Sequence, residues 1–160
     1  MKKNTTKQNT IEIINTLKER KQSISFAESC TGGRIASAFT AISGASSVLN
    51  GSVVSYANEI KSQWLEVKEK TLIDYGAVSK ECVNGMLNGI LKMANADCAI
   101  AVSGIAGPTG GSDEKPVGTV YIGVSYQDKI LIKHYLFEGD REAVQEQAKD
   151  TAIALLKEFL

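Results

Sequence analysis

The sequence predicts an α/β protein: one three-layer α/β/α domain built on a mixed β-sheet. Three observations predict it. Segments with helical spacing alternate with short apolar or β-branched runs along the chain. Residues 98–102, Cys-Ala-Ile-Ala-Val, form an unbroken apolar run, as expected of a central strand covered on both faces. Two strand patterns stand back to back at 117–126 and 129–137, separated only by Gln127-Asp128, which reads as a hairpin.

Taken in order, residues 1–8 are polar and read as a flexible tail. Asn9 and Glu12 make a capping box ahead of Ile11, Ile14 and Leu17, placing a helix over 10–20. Residues 23–27 are a short strand. Gly32 and Gly33 open a helix ending near 42, with Ile35, Ala38 and Phe39 as its buried face. A loop at 43–45 leads to a Val- and Ser-rich strand at 47–56, then a short helix at 57–65. Ser79 caps a helix whose Cys82, Val83, Met86, Leu87, Ile90, Leu91 and Ala94 recur at helical spacing. A glycine-rich loop fills 103–116 between the central strand and the hairpin. Asp140 caps the last helix, with an apolar stripe from Val144 to Phe159.

The whole chain, 1–160, reads as one domain, because 160 residues can bury roughly 70% of the unfolded surface without staples. Eighteen basic residues balance eighteen acidic ones, which argues against a nucleic-acid binder that works by neutralising phosphates. No secretory h-region follows Met1, and no run approaches the ~18 apolar residues of a membrane span. Cys30, Cys82 and Cys98 are odd in number and lack Cys-x-x-Cys spacing, so free thiols in a cytoplasmic protein are expected. One histidine and scattered carboxylates make no transition-metal set. Sheet edges and outer helices leave room for a homodimer or higher homo-oligomer.

Three segments can carry chemistry. The first, Ala27-Glu28-Ser29-Cys30-Thr31-Gly32-Gly33, joins a strand to a helix start. Main-chain N–H groups there lack internal partners and carry partial positive charge, so they can hold an oxyanion formed on attack by a serine. Ser29 or Thr31 can equally be a plain helix cap. The second segment sets Tyr56, Asn58, Glu59 and Lys61 at a strand end running into a helix. An activated serine needs a base, and the lone His134 sits in an alternating strand pattern. A lysine made neutral by burial can serve; Lys61 can also be an ordinary solvated lysine. The third is the loop Ser103-Gly104-Ile-Ala-Gly107-Pro-Thr109-Gly110-Gly111, running on to Lys115-Pro116. It is neither a Walker A loop nor Gly-x-Gly-x-x-Gly, but its N–H groups can meet a phosphate. Arg141, in the first turn of the last helix, can clamp a phosphate or pair with a surface carboxylate. Cys30 is a rival nucleophile if exposed and an inert thiol if buried.

Ala-Glu-Ser-Cys-Thr-Gly-Gly (27–33), Tyr-x-Asn-Glu-x-Lys (56–61), Gly-Ala-Val-Ser-x-Glu (76–81), Ser-Gly-Ile-Ala-Gly-Pro-x-Gly-Gly (103–111), Lys-Pro-Val-Gly-Thr-Val (115–120) and Gly-Asp-Arg (139–141) occur in that order. Together they resemble the CinA C-terminal domain family from about residue 8 to the C-terminus. The resemblance implies a nicotinamide-nucleotide amidohydrolase, which converts nicotinamide mononucleotide and water to nicotinate mononucleotide and ammonia in pyridine nucleotide recycling. It implies a serine nucleophile at Ser29, assisted by Lys61 and Tyr56, with no metal or cofactor. Cys30, Thr31, Gly32, Gly33 and Asn58 are then expected around the oxyanion. Ser103, Gly104, Gly107, Thr109, Gly110, Gly111 and Arg141 are expected around the phosphate and ribose. One departure stands out: Gln145 occupies a position where family members often carry a second arginine. Two other classes remain open, a non-catalytic nucleotide-binding or interaction module and an amidase for another small amide.

Overall fold

The computed structural model describes residues 2–160, with side chains from residue 5 onward. Five strands form one mixed sheet in the order β2-β1-β3-β4-β5: β1 (Ile24–Glu28), β2 (Leu49–Val54), β3 (Cys98–Gly104), β4 (Thr119–Tyr126) and β5 (Lys129–Leu136). β1 pairs in parallel with both β2 and β3, whereas β4 runs antiparallel to β3 and β5. Gln127 and Asp128 make the β4–β5 turn with φ of 50° and 62°, the positive values a tight two-residue hairpin needs.

Strand alternation sends Ile24, Phe26, Ile100, Val102, Ile122 and Val124 to one face. There α1 (Lys2–Arg20), α2 (Arg34–Thr40) and α6 (Arg141–Phe159) cover them. Ala27, Ala99 and Ala101 point to the other face, under α5 (Lys80–Ala94) and Leu65 of α3 (Asn58–Leu65). α3 and α5 cross at Gly89, where any Cβ would collide with the Leu65 carbonyl. That close approach fixes α3 against the sheet. Among the described residues no helix is long and apolar enough to cross a membrane.

The expected elements are present, with four corrections. The segment read as a tail is the start of α1; Met1 lies outside the described residues. Thr6 is buried and donates to Asp150 Oδ1 on α6 (2.8 Å), and Thr10 Oγ1 donates to the Thr6 carbonyl (2.8 Å). This docking is polar, so it leaves no apolar stripe to read. Asn9 therefore lies inside the helix rather than capping it. A short helix, α4 (Glu69–Tyr75), was not expected; it buries no residue and so shows no periodic face. β3 continues through Gly104, so the glycine-rich loop starts at Ile105. β2 is shorter than 47–56, because Ser47 belongs to a 3-10 turn and Ser55 and Tyr56 lead into α3.

Candidate active site

The three parallel strands end side by side, and the chain turns there into the three segments singled out above. In open α/β sheets this edge is where ligands are held. The first turn begins with Glu28, a fully buried carboxylate that sequence reasoning passed over. Its Oε1 accepts from the Thr31 hydroxyl (2.6 Å) and the Ile35 N–H (3.0 Å), and its Oε2 from the Ala36 N–H (3.0 Å). Glu28 thus supplies the acceptors for the start of α2, where a negative charge meets the positive end of the helix. The residue in the cap position is Gly33, left-handed at φ 98° and without a side-chain cap. Neither Ser29 nor Thr31 caps the helix directly. An acid closing a strand just ahead of a Gly-Gly helix start was the available signal.

Because Glu28 points to the α2 face, Ser29 points to the opposite one. There Lys61 Nζ lies 3.1 Å from Ser29 Oγ and donates to the Tyr56 carbonyl at 2.9 Å. Lys61 is 1% exposed, and among the described residues it has no ion-pair partner. Burial pushes its pKa below the ordinary lysine value of 10.5, against smaller opposing effects from the Cys82 and Cys30 thiols. An amine so placed gives up its proton more readily than a solvated lysine.

Tyr56 sits differently from expectation. Its main-chain carbonyl orients Lys61, while its phenol, on a largely exposed side chain, accepts from Arg141 Nη2 at 2.9 Å. Arg141 Nη1 donates to the Gly107 carbonyl at 2.7 Å. One guanidinium therefore ties the second segment to the third. No hydrogen bond joins the phenol to Ser29 or Lys61, so a direct proton relay through it is absent from this geometry.

The family profile described as "CinA C-terminal domain" matches residues 6–160. The chain belongs to the CinA C-terminal domain family. It is 49% identical over 144 residues to a CinA-like protein of Endomicrobium trichonymphae, covering 90% of this chain and 34% of that protein. It is 46% identical over 154 residues to a CinA-like protein of Thermosipho melanesiensis, covering 94% and 38% respectively. The chain thus spans about a third of the length of these curated relatives. Among solved structures, competence damage-inducible protein A of Klebsiella pneumoniae superposes with a TM-score of 0.92 at 40% identity, covering 96% of this chain and 95% of that one. An Escherichia coli CinA superfamily protein gives 0.94 at 32% identity, covering 97% and 90%.

Within this CinA domain, several expected binding residues lie elsewhere or are already engaged. The Gly32 N–H is spent on the Ser29 carbonyl, and that of Ser29 on Val102. The N–H groups of Cys30, Thr31 and Gly33 have no main-chain acceptor. Asn58 is exposed and faces a separate hollow with Glu59, Ser62, Leu72 and Ile73. Ser103 is a buried strand residue beside Ser29 rather than part of the loop; Gly104 ends that strand. Gly107 meets Arg141, whereas Thr109, Gly110 and Gly111 are exposed. Lys115 reaches back to the Tyr75 carbonyl at 2.7 Å. A hollow of about 670 Å³ opens beside Arg141, lined also by Arg34, Pro108, Asp140, Glu142 and Gln145. Gln145 Nε2 donates to the Cys30 carbonyl at 3.0 Å, a hold on the Ser29 turn that the sequence did not reveal.

The rival nucleophile is poorly placed. Cys30 is buried, and desolvation raises its thiol pKa to about 12. His134 stacks on Tyr121 with centroids 4.7 Å apart, a strand-pair contact between β4 and β5. Among the described residues no group of three or more His, Cys, Asp or Glu side chains could hold a metal ion.

Proposed function

We propose that this domain is a nicotinamide-nucleotide amidohydrolase that works by acyl transfer through Ser29. The observation that carries the reading is the 3.1 Å contact between Ser29 Oγ and a buried, unpaired Lys61 amine. A serine–lysine pair needs no histidine, and burial shifts Lys61 toward the neutral form the chemistry requires.

A neutral Lys61 has two N–H groups and one lone pair. One N–H donates to the Tyr56 carbonyl, and the lone pair can accept the Ser29 O–H, reversing the 3.1 Å donation from Lys61 Nζ to Ser29 Oγ in the resting structure. As Ser29 Oγ bonds to the carboxamide carbon, its proton passes to Lys61 Nζ. The tetrahedral oxyanion lies within the turn whose free N–H groups belong to Cys30, Thr31 and Gly33. Lys61 returns the proton to the departing nitrogen, the C–N bond breaks, and ammonia leaves an ester on Ser29. Water, deprotonated by the same amine, then releases the carboxylate and restores Ser29. Arg141, which has no carboxylate partner among the described residues, is the group placed to meet a nucleotide phosphate in the hollow beside the turn; Arg34 is paired with Glu146, and Asp140 and Glu142 also line that hollow.

The test is ammonia release from nicotinamide mononucleotide, free nicotinamide and a panel of small amides. The mononucleotide is the expected substrate. Ser29→Ala and Lys61→Ala are expected to lose turnover while keeping the native circular dichroism spectrum. Release from the other amides alone would replace the substrate. No release from any would leave a binding module. An active Ser29→Ala would remove the nucleophile assignment.

A further inference from the structure

Two buried side-chain hydroxyls among the described residues lack any hydrogen-bond partner: Ser25 and Ser55. A buried hydroxyl left unpaired is destabilising where an alanine would not be, so each such group needs a reason. Ser25 lies inside β1, paired with Gly51 and Ala99. Ser55 lies against the reaction centre.

Its place follows from the ladder. The Ser29 N–H donates to the Val102 carbonyl (3.1 Å), and the Ser55 N–H to the Glu28 carbonyl (2.9 Å). In a parallel pair these bonds set Ser29 opposite Ser103 on one side and opposite Ser55 on the other, one step beyond the assigned strands. Opposed residues share a face, on strands about 4.8 Å apart. Ser55, Ser29 and Ser103 therefore form a row, exposed by only 0%, 7% and 1%. Lys61 Nζ is bonded to the side chain of Ser29 and the main chain of Tyr56. Ser55 adjoins both anchors, being one strand over from Ser29 and one residue before Tyr56.

Once Lys61 has taken the serine proton it carries three N–H groups. The Tyr56 carbonyl accepts one, and the departing nitrogen is positioned for another. Ser29 Oγ, now bonded to an acyl carbon, has become a poorer acceptor. We propose that the Ser55 hydroxyl accepts an N–H of the Lys61 ammonium formed during turnover, which makes Ser55 a positioning residue acting through Lys61. The proposal rests on the serine–lysine reading above. Ser55 acts through Lys61, and its own proton stays on its oxygen throughout.

The titratable groups that act on Lys61 are the thiols of Cys30, in the turn after β1, and Cys82, on α5. Glu28 and Arg141 act in turn on Cys30, and Lys115 on Cys82. The Tyr56 phenol faces Arg141. Replacing Ser55 alters none of these groups, so a changed titration of Lys61 reports the lost acceptor.

The experiment uses the full chain. Sulfonylation of Ser29 by phenylmethylsulfonyl fluoride is followed by mass spectrometry across pH, in parallel with ammonia release from nicotinamide mononucleotide. In Ser55→Ala the acid limb of labelling is expected to move to lower pH, by about half to one pH unit, because the ammonium loses an acceptor. Ser55→Thr keeps a hydroxyl and should restore the limb. Ser25→Ala, which removes the other unpaired hydroxyl, should overlay the wild type. At pH above the acid limb, where Lys61 is neutral, the melting temperature of Ser55→Ala should not fall, since Ser55 has no bond there to lose. Superimposed limbs for Ser55→Ala and wild type, or an equal shift in Ser25→Ala, would overturn the proposal. If the limb shifts but no ammonia appears, the substrate assignment fails and the role of Ser55 stands. If ammonia appears and the limbs superimpose, the reverse holds.

Discussion

Replacing Glu28 by glutamine tests how the nucleophile turn is held. The carboxylate is fully buried and receives three hydrogen bonds, from the Thr31 hydroxyl and the Ile35 and Ala36 N–H groups. A glutamine of the same shape keeps one acceptor oxygen and presents an NH₂ group to a main-chain N–H, so one bond becomes a donor–donor contact. Losing a hydrogen bond to a charged group costs roughly 1.5–3 kcal/mol. The surviving bonds drop toward neutral strength, and the negative charge at the start of α2 disappears, for a further ~0.5–1 kcal/mol. The expected total is about 3 kcal/mol. For a chain of this length 1 kcal/mol is about 3 °C in Tm, so Glu28→Gln should melt about 9 °C lower. Scanning calorimetry at neutral pH measures it directly. Activity at 25 °C should fall further than the folded fraction does, since Ser29 follows Glu28 in the chain. A drop in Tm below about 3 °C would refute the idea that this carboxylate's charge anchors the turn.

Three further outcomes are expected. The acid side of the kcat/KM profile should report Lys61. Its pKa is lowered by burial, so the competent neutral amine gains population as pH rises through a value below 10.5. The unfolded chain holds that proton up to its ordinary pKa, so Lys61 contributes stability that increases with pH between the two values. Below that window the burial cost is complete. A chemical-denaturation series in Lys61→Met, with that pH trend still present, would contradict this assignment. Cys30→Ala should retain most ammonia release, because a thiol with pKa about 12 carries almost no thiolate at neutral pH; a dead variant with native fold would contradict it. Arg141→Gln should raise KM for the mononucleotide about tenfold or more and leave turnover of free nicotinamide, where detectable, unchanged. Steady-state kinetics on both compounds checks this, and an equal loss on both would show that Arg141 acts by holding Tyr56 and Gly107 instead.

How much was legible follows from which forces leave a pattern in sequence. The central strand, the capped α5 and the hairpin turn rest on apolar burial and turn chemistry, and each was readable, at residues 98–102 of the strand that ends at Gly104, at Ser79 and at Gln127-Asp128. α1 was misread at its start because Thr6 docks on α6 by a hydrogen bond to Asp150. α4 was invisible because none of its residues is fully buried and only Leu72 packs against the core. At the site, residue type indicated Ser29 and Lys61, and the fold brings them within 3.1 Å. It could not indicate that Tyr56 meets Lys61 through its carbonyl, that Glu28 rather than a hydroxyl residue serves α2, or that Gln145 holds the Cys30 carbonyl. Those contacts depend on three-dimensional register across residues more than a hundred apart, or on main-chain atoms that every residue shares.

The alternation of β1 explains how a carboxylate and a free amine coexist at one strand end. Glu28 and Ser29 are neighbours in sequence, yet they address opposite faces of the sheet. Glu28 spends its charge on α2, and its influence on the site is felt at the Cys30 thiol, not among the groups that act on Lys61. Were the carboxylate on the Lys61 side, an ion pair would stabilise the ammonium, raise its pKa and remove the lone pair that the proposed acyl transfer needs. The period of two along the strand thus keeps the acid that builds the turn away from the base that would use it. A one-residue insertion between Ala27 and Glu28 would exchange those faces, and would be expected to leave an inactive serine even if the sheet reassembled around it.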